Sequence, residues 1–133
     1  MNDIFLMNDN YRTPEYLYDK LNQEFHFNDD PCPYSEGIPL IDGLKREWGT
    51  ITFMNPPYSN PYPWCKKAFE ESLRGKLIVG LLRVDTSTKW FHEFCYNKAE
   101  LRFLKGRIKF NGKTPNFASM ICVWHPPLIN SLP

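Results

Sequence analysis

The feature that most constrains the fold is an uninterrupted apolar run, Leu77–Leu82, near the middle of the chain. A strand with one face in water alternates apolar and polar residues, whereas a parallel strand covered on both faces is apolar throughout. The run therefore predicts a central strand with a packed layer on each side. A second apolar segment, Ile51–Met54, is stopped by Asn55 and two prolines, and it predicts another buried strand.

Helical patterns alternate with these strands. Thr13 is predicted to be the N-cap of a helix over Pro14–Glu24, with Pro14 at the first helical position. Apolar residues at helical spacing predict two further helices, Trp64–Leu73 and Thr88–Tyr96. Shorter strand candidates are Phe25–Asn28, Leu101–Leu104 and Ser119–Trp124, and residues 31–49 are predicted to be mostly loop. We expect the last two strands to pair antiparallel, which gives an α/β three-layer sandwich with a mixed sheet.

Length and composition narrow the class of protein. A chain of 133 residues fits a single domain, 1–133, of which we expect residues 1–11 to be loosely ordered. The net charge of +1 gives no overall basic field, so a nucleic-acid partner must be argued from local charge. The longest apolar run is too short to span a membrane, and we see no secretory signal. We therefore expect a cytoplasmic protein.

The cysteines are Cys32, Cys65, Cys95 and Cys122, and no two of them form a C-x-x-C pair. This spacing indicates neither a zinc site nor a disulfide framework. We expect reduced, mostly buried thiols and no bound metal.

The residues best suited to chemistry are Asn55-Pro56-Pro57-Tyr58, directly after the strand Ile51–Met54. The exocyclic nitrogen of adenine is a poor nucleophile because its lone pair is delocalised into the ring. An enzyme that methylates it needs two acceptors for the amino hydrogens, and the Asn55 side-chain oxygen and the Pro56 carbonyl are suited to that role. A residue before proline is held in extended geometry, and proline has no N–H, so the Pro56 carbonyl is fixed and free to accept.

The position of this motif supports the same interpretation. Tyr58 offers a flat face on which a base taken out of the duplex can stack. The motif also follows a buried strand at its carboxyl end, where open α/β sheets bind their ligands. The alternative is a proline-rich turn with a surface tyrosine.

Further segments extend the pattern over most of the chain. They are Arg12-Thr13-Pro14, Phe27–Pro33, Asp42-Gly43-Leu44 with Trp48, Thr88–His92, Phe103–Arg107 with Phe110, and Ala118-Ser119-Met120. Together with Asn55-Pro56-Pro57-Tyr58-Ser59, this ordered set resembles the phage-type DNA N6-adenine methyltransferases. They are a small branch of the S-adenosylmethionine-dependent, Rossmann-like methyltransferases. The resemblance runs from Arg12 to Trp124.

The resemblance implies S-adenosylmethionine as the cofactor and DNA as the substrate. By it, Asp30, beside Pro31 at the end of the first strand, would face the amino group of the cofactor's methionine end. Thr13 and Pro14 would border the same pocket, and Asp42 would contact the cofactor's adenine or ribose. Each assignment has a plainer alternative: Asp30 as a turn residue, Thr13 and Pro14 as a simple helix start, and Asp42 as part of a common Asp-Gly turn.

The sequence departs from the family pattern in three places. No Gly-x-Gly lies near the first strand, so a conventional glycine-rich cofactor loop is absent. About twenty residues separate Asp30 from Ile51, too few for the second and third strand–helix units of a full fold. The stretch Leu82–Thr86 stands where relatives tend to carry Pro after the strand and Arg shortly after. We therefore expect a reduced Rossmann-like sandwich.

A basic segment is the candidate for DNA binding. Its charges are Arg102, Lys105, Arg107, Lys109 and Lys113, within twelve residues that contain no Asp or Glu. Gly106 and Gly112 mark predicted bends, and Phe103 and Phe110 are predicted apolar anchors. We expect a basic loop or hairpin beside the pocket, with its charges on backbone phosphates. The alternative is a solvated charged edge that guards a strand against aggregation.

Two other functions are compatible with the sequence. A methyltransferase acting on RNA adenine or on a protein amide would keep the pocket and change the target. A non-catalytic nucleic-acid- or partner-binding module would have lost cofactor binding along with the missing strand–helix units. The chemistry needs no general base, so we interpret His92 as a packing or hydrogen-bonding residue, and Trp64 and Trp90 as core.

Overall fold

The computed structural model describes residues 11–33 and 42–128. Its strands are β1 (Ile51–Met54), β2 (Leu77–Arg83), β3 (Glu100–Phe103) and β4 (Ser119–Trp124). Its helices are α1 (Glu15–Phe25) and α2 (Tyr62–Leu73), with a 3-10 turn at Gly43–Lys45 and a π-helical segment at Phe91–Cys95. Of the residues expected to be loosely ordered, Tyr11 alone lies in the described ranges. Its ring packs against that of Tyr58, with centroids 5.0 Å apart.

The strands form a mixed four-stranded sheet in the order β1-β2-β4-β3. β1 and β2 are parallel, with Ile51 beside Leu77, whereas β4 is antiparallel to both β2 and β3. This confirms the predicted mixed sheet and the antiparallel pairing of the last two strands. The strand predicted over Phe25–Asn28 is wrong, because α1 continues through Phe25. The parallel pairing with β1 falls instead at Asp29, which bridges Thr52.

Both faces of the sheet are covered, as the apolar run of β2 predicts. On one face, Cys65 of α2 and Phe91 of the π-helical segment belong to the same buried cluster as Leu82 of β2. On the other face, Leu17 of α1 belongs to a buried cluster with Leu81. Neighbouring residues of β2 therefore face opposite layers, and the sheet is the middle layer of three.

The helix predicted over Thr88–Tyr96 is replaced for most of its length by a wider turn. The N–H of Tyr96 donates to the carbonyl of Phe91 at 2.8 Å, the five-residue spacing of a π-helix. His92 Nε2 donates to the Thr86 carbonyl at 2.6 Å, which confirms a hydrogen-bonding role for this side chain. Trp64 and Trp90 are 8% and 4% exposed, which confirms that both are core residues.

The cysteines have the predicted state. All are free thiols, and Cys65, Cys95 and Cys122 are buried. Hydrogen bonding to Cys95, together with burial, raises the pKa of the Cys65 and Cys122 thiols. The Cys65 and Cys122 thiols therefore pack as protonated core side chains.

The start of α1 differs from the prediction. Pro14 is the N-cap, the helix begins at Glu15, and no side chain caps it. The Thr13 hydroxyl accepts a hydrogen bond from Nδ2 of Asn55 instead, at 2.9 Å. The prediction that Thr13 is the N-cap is therefore wrong, because a side chain 42 positions along the chain binds its oxygen.

One edge of the sheet collects most of the segments predicted to carry function. β1 and β2 run parallel and end at Met54 and Arg83, and Asp29 bridges β1 in the same direction. β4 runs the other way and begins at Ser119, opposite Arg83. The chain that follows Asp29, Met54 and Arg83 therefore leaves the sheet at the same carboxyl edge.

A buried charge cluster lies at the opposite edge. Glu71 of α2 is fully buried and binds Lys76 at 2.6 Å and Lys67 at 3.0 Å. Lys76 Nζ also donates to the Trp48 carbonyl at 2.6 Å. These bonds tie α2 to the chain that enters β1 and β2, so the cluster supports the scaffold.

In the described ranges no helix is long and apolar enough to cross a bilayer.

Candidate active site

Asn55 is held at the carboxyl end of β1 by two hydrogen bonds to the segment before α1. Its Nδ2 donates to the backbone carbonyl of Tyr11 and to the hydroxyl of Thr13, both at 2.9 Å. A carbonyl oxygen can only accept, so the bond to Tyr11 fixes which end of the carboxamide is the nitrogen. The Asn55 Oδ1 therefore lies on the side of the carboxamide away from these two partners.

The Oδ1 of Asn55 is buried and has no hydrogen-bond partner among the described residues. Buried polar atoms are nearly always bonded, because leaving one unpaired costs about 1–3 kcal/mol. An acceptor that is held in one orientation and left unpaired is suited to an N–H of a ligand. This geometry supports the role that the sequence predicts for Asn55.

The turn after Asn55 is anchored to β2. Pro56 is buried, Pro57 is half-buried, and Arg83 Nη1 donates to the backbone carbonyl of Tyr58. The Arg83 guanidinium also lies over the Trp90 ring, 5.5 Å from its centroid. Sequence reasoning missed this role of Arg83, which is marked in the sequence only as a charge at the end of an apolar strand.

Tyr58 lies in an aromatic cluster with Tyr11, Phe110 and Phe117. Their ring centroids lie 5.0, 5.9 and 5.2 Å from that of Tyr58. Tyr58 is 7% exposed, burial raises the pKa of its hydroxyl, and that hydroxyl has no partner within the described ranges. The alternative of a surface tyrosine is therefore wrong. The ring expected to be open to a base is covered by its own aromatic neighbours.

Unpartnered buried polar atoms concentrate around this turn. In the part of the chain that the structure describes, they belong to Asn55, Tyr58, Trp90 and Ser119. The last three surround Arg83: it binds the Tyr58 carbonyl, lies over Trp90, and pairs with Ser119 in the sheet. Such atoms are rare in folded proteins, so their concentration at one edge makes this edge a candidate ligand site.

A cleft of about 330 Å³ opens between the start of α1 and the carboxyl edge of the sheet. Its lining brings together Thr13 and Asp30, which were predicted to border one pocket. The remaining lining residues are Arg12, Glu15, Tyr18 and Phe53. Sequence reasoning did not assign these four to the pocket: Arg12 was noted only as part of the segment Arg12-Thr13-Pro14, and the other three stand in no such segment. Thr13 therefore lies between the cleft and Asn55.

Asp30 is a carboxyl group of the cleft with a raised pKa. Burial raises the pKa of Asp30 to about 6, although its Oδ1 accepts a bond from the N–H of Cys32 at 3.1 Å. The neighbouring charge of Asp29 raises it further. Pro31, the next residue, is buried. A carboxylate that is costly to ionise alone is stabilised when a cation lies beside it, so this position suits a cationic ligand group.

Asp29 fixes the backbone beneath the cleft. Its carboxylate accepts two bonds from Arg46, at 2.7 and 2.9 Å, and one from the N–H of Gly49 at 2.8 Å. Burial opposes ionisation of Asp29, but these bonds outweigh it and lower its pKa. Asp29 Oδ1 also accepts from the N–H of Asp30 at 2.8 Å, so the ion pair positions the residue that lines the cleft.

The Asp42 side chain stabilises the 3-10 turn that follows it. Its Oδ1 accepts from the N–H of Leu44 at 2.9 Å and caps the 3-10 turn. Gly43 is required next, because a Cβ there would lie 2.1 Å from the carbonyl oxygen of Pro31. Trp48 Nε1 donates to the Gly43 carbonyl at 2.7 Å. The turn alternative therefore accounts for Asp42, and its contact with a cofactor stays a prediction.

The basic segment folds back on itself after β3. Phe110 and Lys113 exchange both backbone hydrogen bonds, at 2.8 and 2.9 Å, around the turn Asn111-Gly112. These two turn residues have φ of +53° and +77°, as Asn-Gly hairpin turns require. Phe110 is 2% exposed and anchors the turn in the aromatic cluster. We call residues 105–113 the basic hairpin; its exposed charges are Lys105, Arg107, Lys109 and Lys113.

Two residues of the predicted segment are placed differently. Arg102 lies in β3, binds both carboxylate oxygens of Glu24 at 2.7 and 2.8 Å, and binds Glu100 at 2.6 Å. Its guanidinium is thus engaged by two carboxylates, which argues against a phosphate contact. Phe103 is 62% exposed, so the prediction that it anchors the segment is wrong. It ends the edge strand of the sheet, beyond the reach of the core layers.

No three His, Cys, Asp or Glu side chains of the described residues are grouped so that they could hold a metal ion.

The chain matches the family model of the DNA N-6-adenine-methyltransferases (Dam) over residues 5–126. It is 34% identical over 114 residues to a DNA N-6-adenine-methyltransferase of Haemophilus phage HP1, covering 77% of this chain and 66% of that protein. It is 42% identical over 64 residues to one of Escherichia phage T1, covering 47% of this chain and 27% of that protein. No solved structure matches.

Proposed function

The chain belongs to the DNA N-6-adenine-methyltransferase (Dam) family, and we propose that it transfers a methyl group from S-adenosylmethionine to N6 of adenine in DNA. The observation that carries this proposal is the buried, unpaired Oδ1 of Asn55, whose carboxamide is hydrogen-bonded to Thr13 in the lining of a cleft that also contains Asp30. The Asn55 Oδ1 is an acceptor suited to an amine, and the Asp30 carboxylate is suited to a cation.

The residues of the cleft fit the cofactor. A volume of about 330 Å³ lies within the range of small-molecule sites. Asp30 would bind the amino group of the methionine end, and Arg12 would bind its carboxylate. Tyr18 and Phe53 supply apolar walls, and Thr13 borders the cleft on the side of Asn55. When bound, the cofactor supplies a methyl group on a sulfonium, which is reactive toward a nitrogen lone pair.

Pro14, Pro31 and Asp42 complete the proposed cofactor-binding set, the two prolines through the backbone and Asp42 through its side chain. Pro14 fixes the chain where α1 begins, and Pro31 fixes it after Asp30. Asp42 keeps its proposed contact with the adenine or ribose through the carboxylate oxygen that does not cap the 3-10 turn.

Asn55 and Pro56 would act on the target amine. The Asn55 Oδ1 and the Pro56 carbonyl would accept its two hydrogens, which draws the nitrogen toward tetrahedral geometry and frees its lone pair. Because Nδ2 of Asn55 is already bound to Tyr11 and Thr13, this acceptor needs no reorganisation during the reaction. The methylated amine is cationic and releases its proton to solvent, so no general base is needed.

The basic hairpin and the aromatic cluster would receive the DNA. Lys105, Arg107, Lys109 and Lys113 are exposed and would bind backbone phosphates. Phe110 packs against Tyr58, with ring centroids 5.9 Å apart, and this contact supports a position of the hairpin beside the pocket. An extruded adenine that stacks on Tyr58 would take the place of the Tyr11 ring. Arg102, engaged by Glu24 and Glu100, is left out of this set.

The architecture supports a reduced Rossmann-like methyltransferase sandwich. Its basis is the three-layer arrangement, the parallel pair β1 and β2, and a cleft at their carboxyl edge.

DNA and S-adenosylmethionine meet in the cytoplasm of a bacterial cell, where we propose that the protein acts.

A tritiated-methyl transfer assay tests the proposed function. The protein is incubated with labelled S-adenosylmethionine and, separately, with duplex DNA, RNA and protein. We expect label in DNA, recovered as N6-methyladenine after digestion to nucleosides. Label in RNA or in a protein amide would change the target. Cofactor binding without transfer to any substrate would favour a binding module over an enzyme.

A further inference from the structure

Thr13 contacts the two halves of the proposed site. It lines the cleft, and its Oγ1 accepts from Nδ2 of Asn55 at 2.9 Å. Helix α1 begins after Pro14 and does not use the Thr13 side chain as a cap. The Thr13 hydroxyl is therefore directed to Asn55 and not to its own helix.

The bond from Asn55 to Thr13 fixes the plane of the Asn55 carboxamide, which the bond from Asn55 to Tyr11 alone leaves poorly defined. The terminal torsion of an asparagine side chain is broad, so one hydrogen bond leaves the plane of the carboxamide poorly defined. The Tyr11 carbonyl and the Thr13 hydroxyl accept from the same Nδ2, each at 2.9 Å. A second acceptor for the second N–H fixes the plane, and with it the direction of the unpaired Oδ1.

The Thr13 hydroxyl also has a proton of its own. A hydroxyl carries one donor and two acceptor sites, and accepting from Asn55 uses only a lone pair. Because Thr13 lines the cleft, that proton is available to an acceptor bound there. Hydrogen bonds linked in this way polarise and strengthen one another. A ligand in the cleft would therefore tighten the bond that orients Asn55.

We propose that Thr13 is a positioning residue that fixes the Asn55 carboxamide and links its orientation to occupancy of the cleft. This inference rests on the proposed function, because it assigns Asn55 Oδ1 to the target amine. Thr13 itself touches neither the amine nor the transferred methyl group in this scheme. Its effect appears in the rate of methyl transfer and in the ordering of the Asn55 side chain.

Thr13→Val and Thr13→Ser separate this role from packing. Valine keeps the shape of threonine without its acceptor, and serine keeps the acceptor. We expect Thr13→Val to lower kcat by about tenfold, the scale of one lost hydrogen bond, with KM for DNA little changed. Thr13→Ser should restore most of the rate. The matched control is Thr50→Val, which removes a bond of the same type, from Nδ2 of Asn28 at 2.8 Å, at the other end of β1.

A second readout does not depend on activity. In ¹⁵N-correlated spectra, the Asn55 side-chain amide is assigned as the pair of signals lost in Asn55→Asp. We expect this pair to shift on adding S-adenosylmethionine in the wild type and in Thr13→Ser, and to be displaced and insensitive to the cofactor in Thr13→Val. Cofactor affinity, measured by calorimetry, confirms that each variant is loaded.

The outcomes distinguish this inference from the proposed function. If the wild type methylates DNA and Thr13→Val retains its kcat and its Asn55 amide signals, Thr13 is not a positioning residue. An equal loss in Thr13→Val and Thr50→Val would also overturn the inference, because the effect would then be general. If the wild type binds the cofactor and methylates no DNA, the proposed function fails, whatever the amide signals show.

Discussion

Asp29 and Asp30 are adjacent in the chain, yet their carboxylates have opposite pKa shifts. Both are partly buried, which favours the protonated form, but Asp29 is bound by Arg46 and by the N–H of Gly49, and its pKa is lowered. Asp30 has the bond from Cys32 and lines the cleft, and burial raises its pKa to about 6. The first carboxylate thus stabilises the fold and the second is available to a ligand. We therefore expect substitution of Asp29 to change the stability of the fold and substitution of Asp30 to change ligand binding.

Asp30→Asn should lose most of its affinity for S-adenosylmethionine and remain folded. The wild type should also bind more weakly in acid. With a pKa of about 6 in the free protein, Asp30 must release a proton to receive an ammonium group below that pH. We expect affinity to be constant above about pH 7 and to fall toward tenfold per unit below pH 6. Calorimetry from pH 5 to pH 8 measures both effects; an identical profile in Asp30→Asn would place the cation elsewhere.

The same substitution should stabilise the ligand-free protein. The pKa of Asp30 is higher in the folded state than in the unfolded chain, so the folded state holds the proton more tightly. Its contribution to stability is therefore present at low pH and lost as pH rises through about 6. We expect Asp30→Asn to raise Tm more at pH 8 than at pH 5, by thermal unfolding. A lower Tm at pH 8 would show that the carboxylate has a structural partner.

Asp29→Asn should act in the opposite direction. It weakens the bidentate bond to Arg46, a side chain that is 37% exposed, so we expect a loss of about 1–2 kcal/mol in the free energy of unfolding. The stability from this pair is present above the ordinary pKa of an aspartate and is lost as pH falls through the lowered value. In urea unfolding, the free energies of unfolding of variant and wild type should therefore differ less at pH 3 than at pH 7. No loss at pH 7 would contradict the assignment.

The basic hairpin should determine the salt dependence of DNA binding. Each phosphate contact adds about −0.9 to the slope of log affinity against log salt, so replacing Lys105 and Lys109 with Ala should flatten it by up to about two units. Cofactor affinity should not change. Arg102→Ala is the control: it removes a charge already bound by Glu24 and Glu100, so it should leave the slope unchanged. If the double variant kept the wild-type slope, the hairpin would guard a strand edge and the phosphate surface would lie elsewhere.

Tyr58→Phe should be tolerated. The Tyr58 hydroxyl is buried without a partner in the described ranges, so removing it takes away an unsatisfied group and leaves the ring in place. We expect Tm to be equal or higher and methyl transfer to stay within about threefold of wild type. Tyr58→Ala would instead open a cavity in the aromatic cluster, at a cost of about 3–5 kcal/mol. A tenfold loss of turnover in the folded Phe variant would give the hydroxyl a role in the site.

The local patterns predict the sheet and α2 well. The apolar runs that became β2 and β4 are recognisable because both of their faces are buried, and the end of β1 is marked by Asn55 and two prolines. The pairing of Asp29 with Thr52 is different: a single bridge has no periodicity to detect. The proposed acceptor role of Asn55 rests on the chemistry of the amine and on the conformational limits that proline imposes.

Three residues were misplaced because their partners are distant in the chain. Thr13 has every feature of an N-cap, yet Asn55 binds its hydroxyl. Arg102 belongs to a basic run, but α1 brings Glu24 to it from 78 positions away. Tyr58 is surrounded by rings from both sides of the sequence. Such contacts are set by the packing of layers, which local patterns do not encode.

The most direct test of the account is methyl transfer by Asn55→Ala, measured in a single turnover with labelled S-adenosylmethionine and duplex DNA. Loss of one prepared acceptor should lower the rate by about 100-fold or more, by analogy with oxyanion-hole deletions. Cofactor affinity should stay within about twofold, because Asn55 is assigned to the amine. Digests of DNA treated with the wild-type protein should contain N6-methyladenine, and digests of DNA treated with the variant should contain almost none. A folded variant that retains more than about a tenth of the wild-type rate would contradict it.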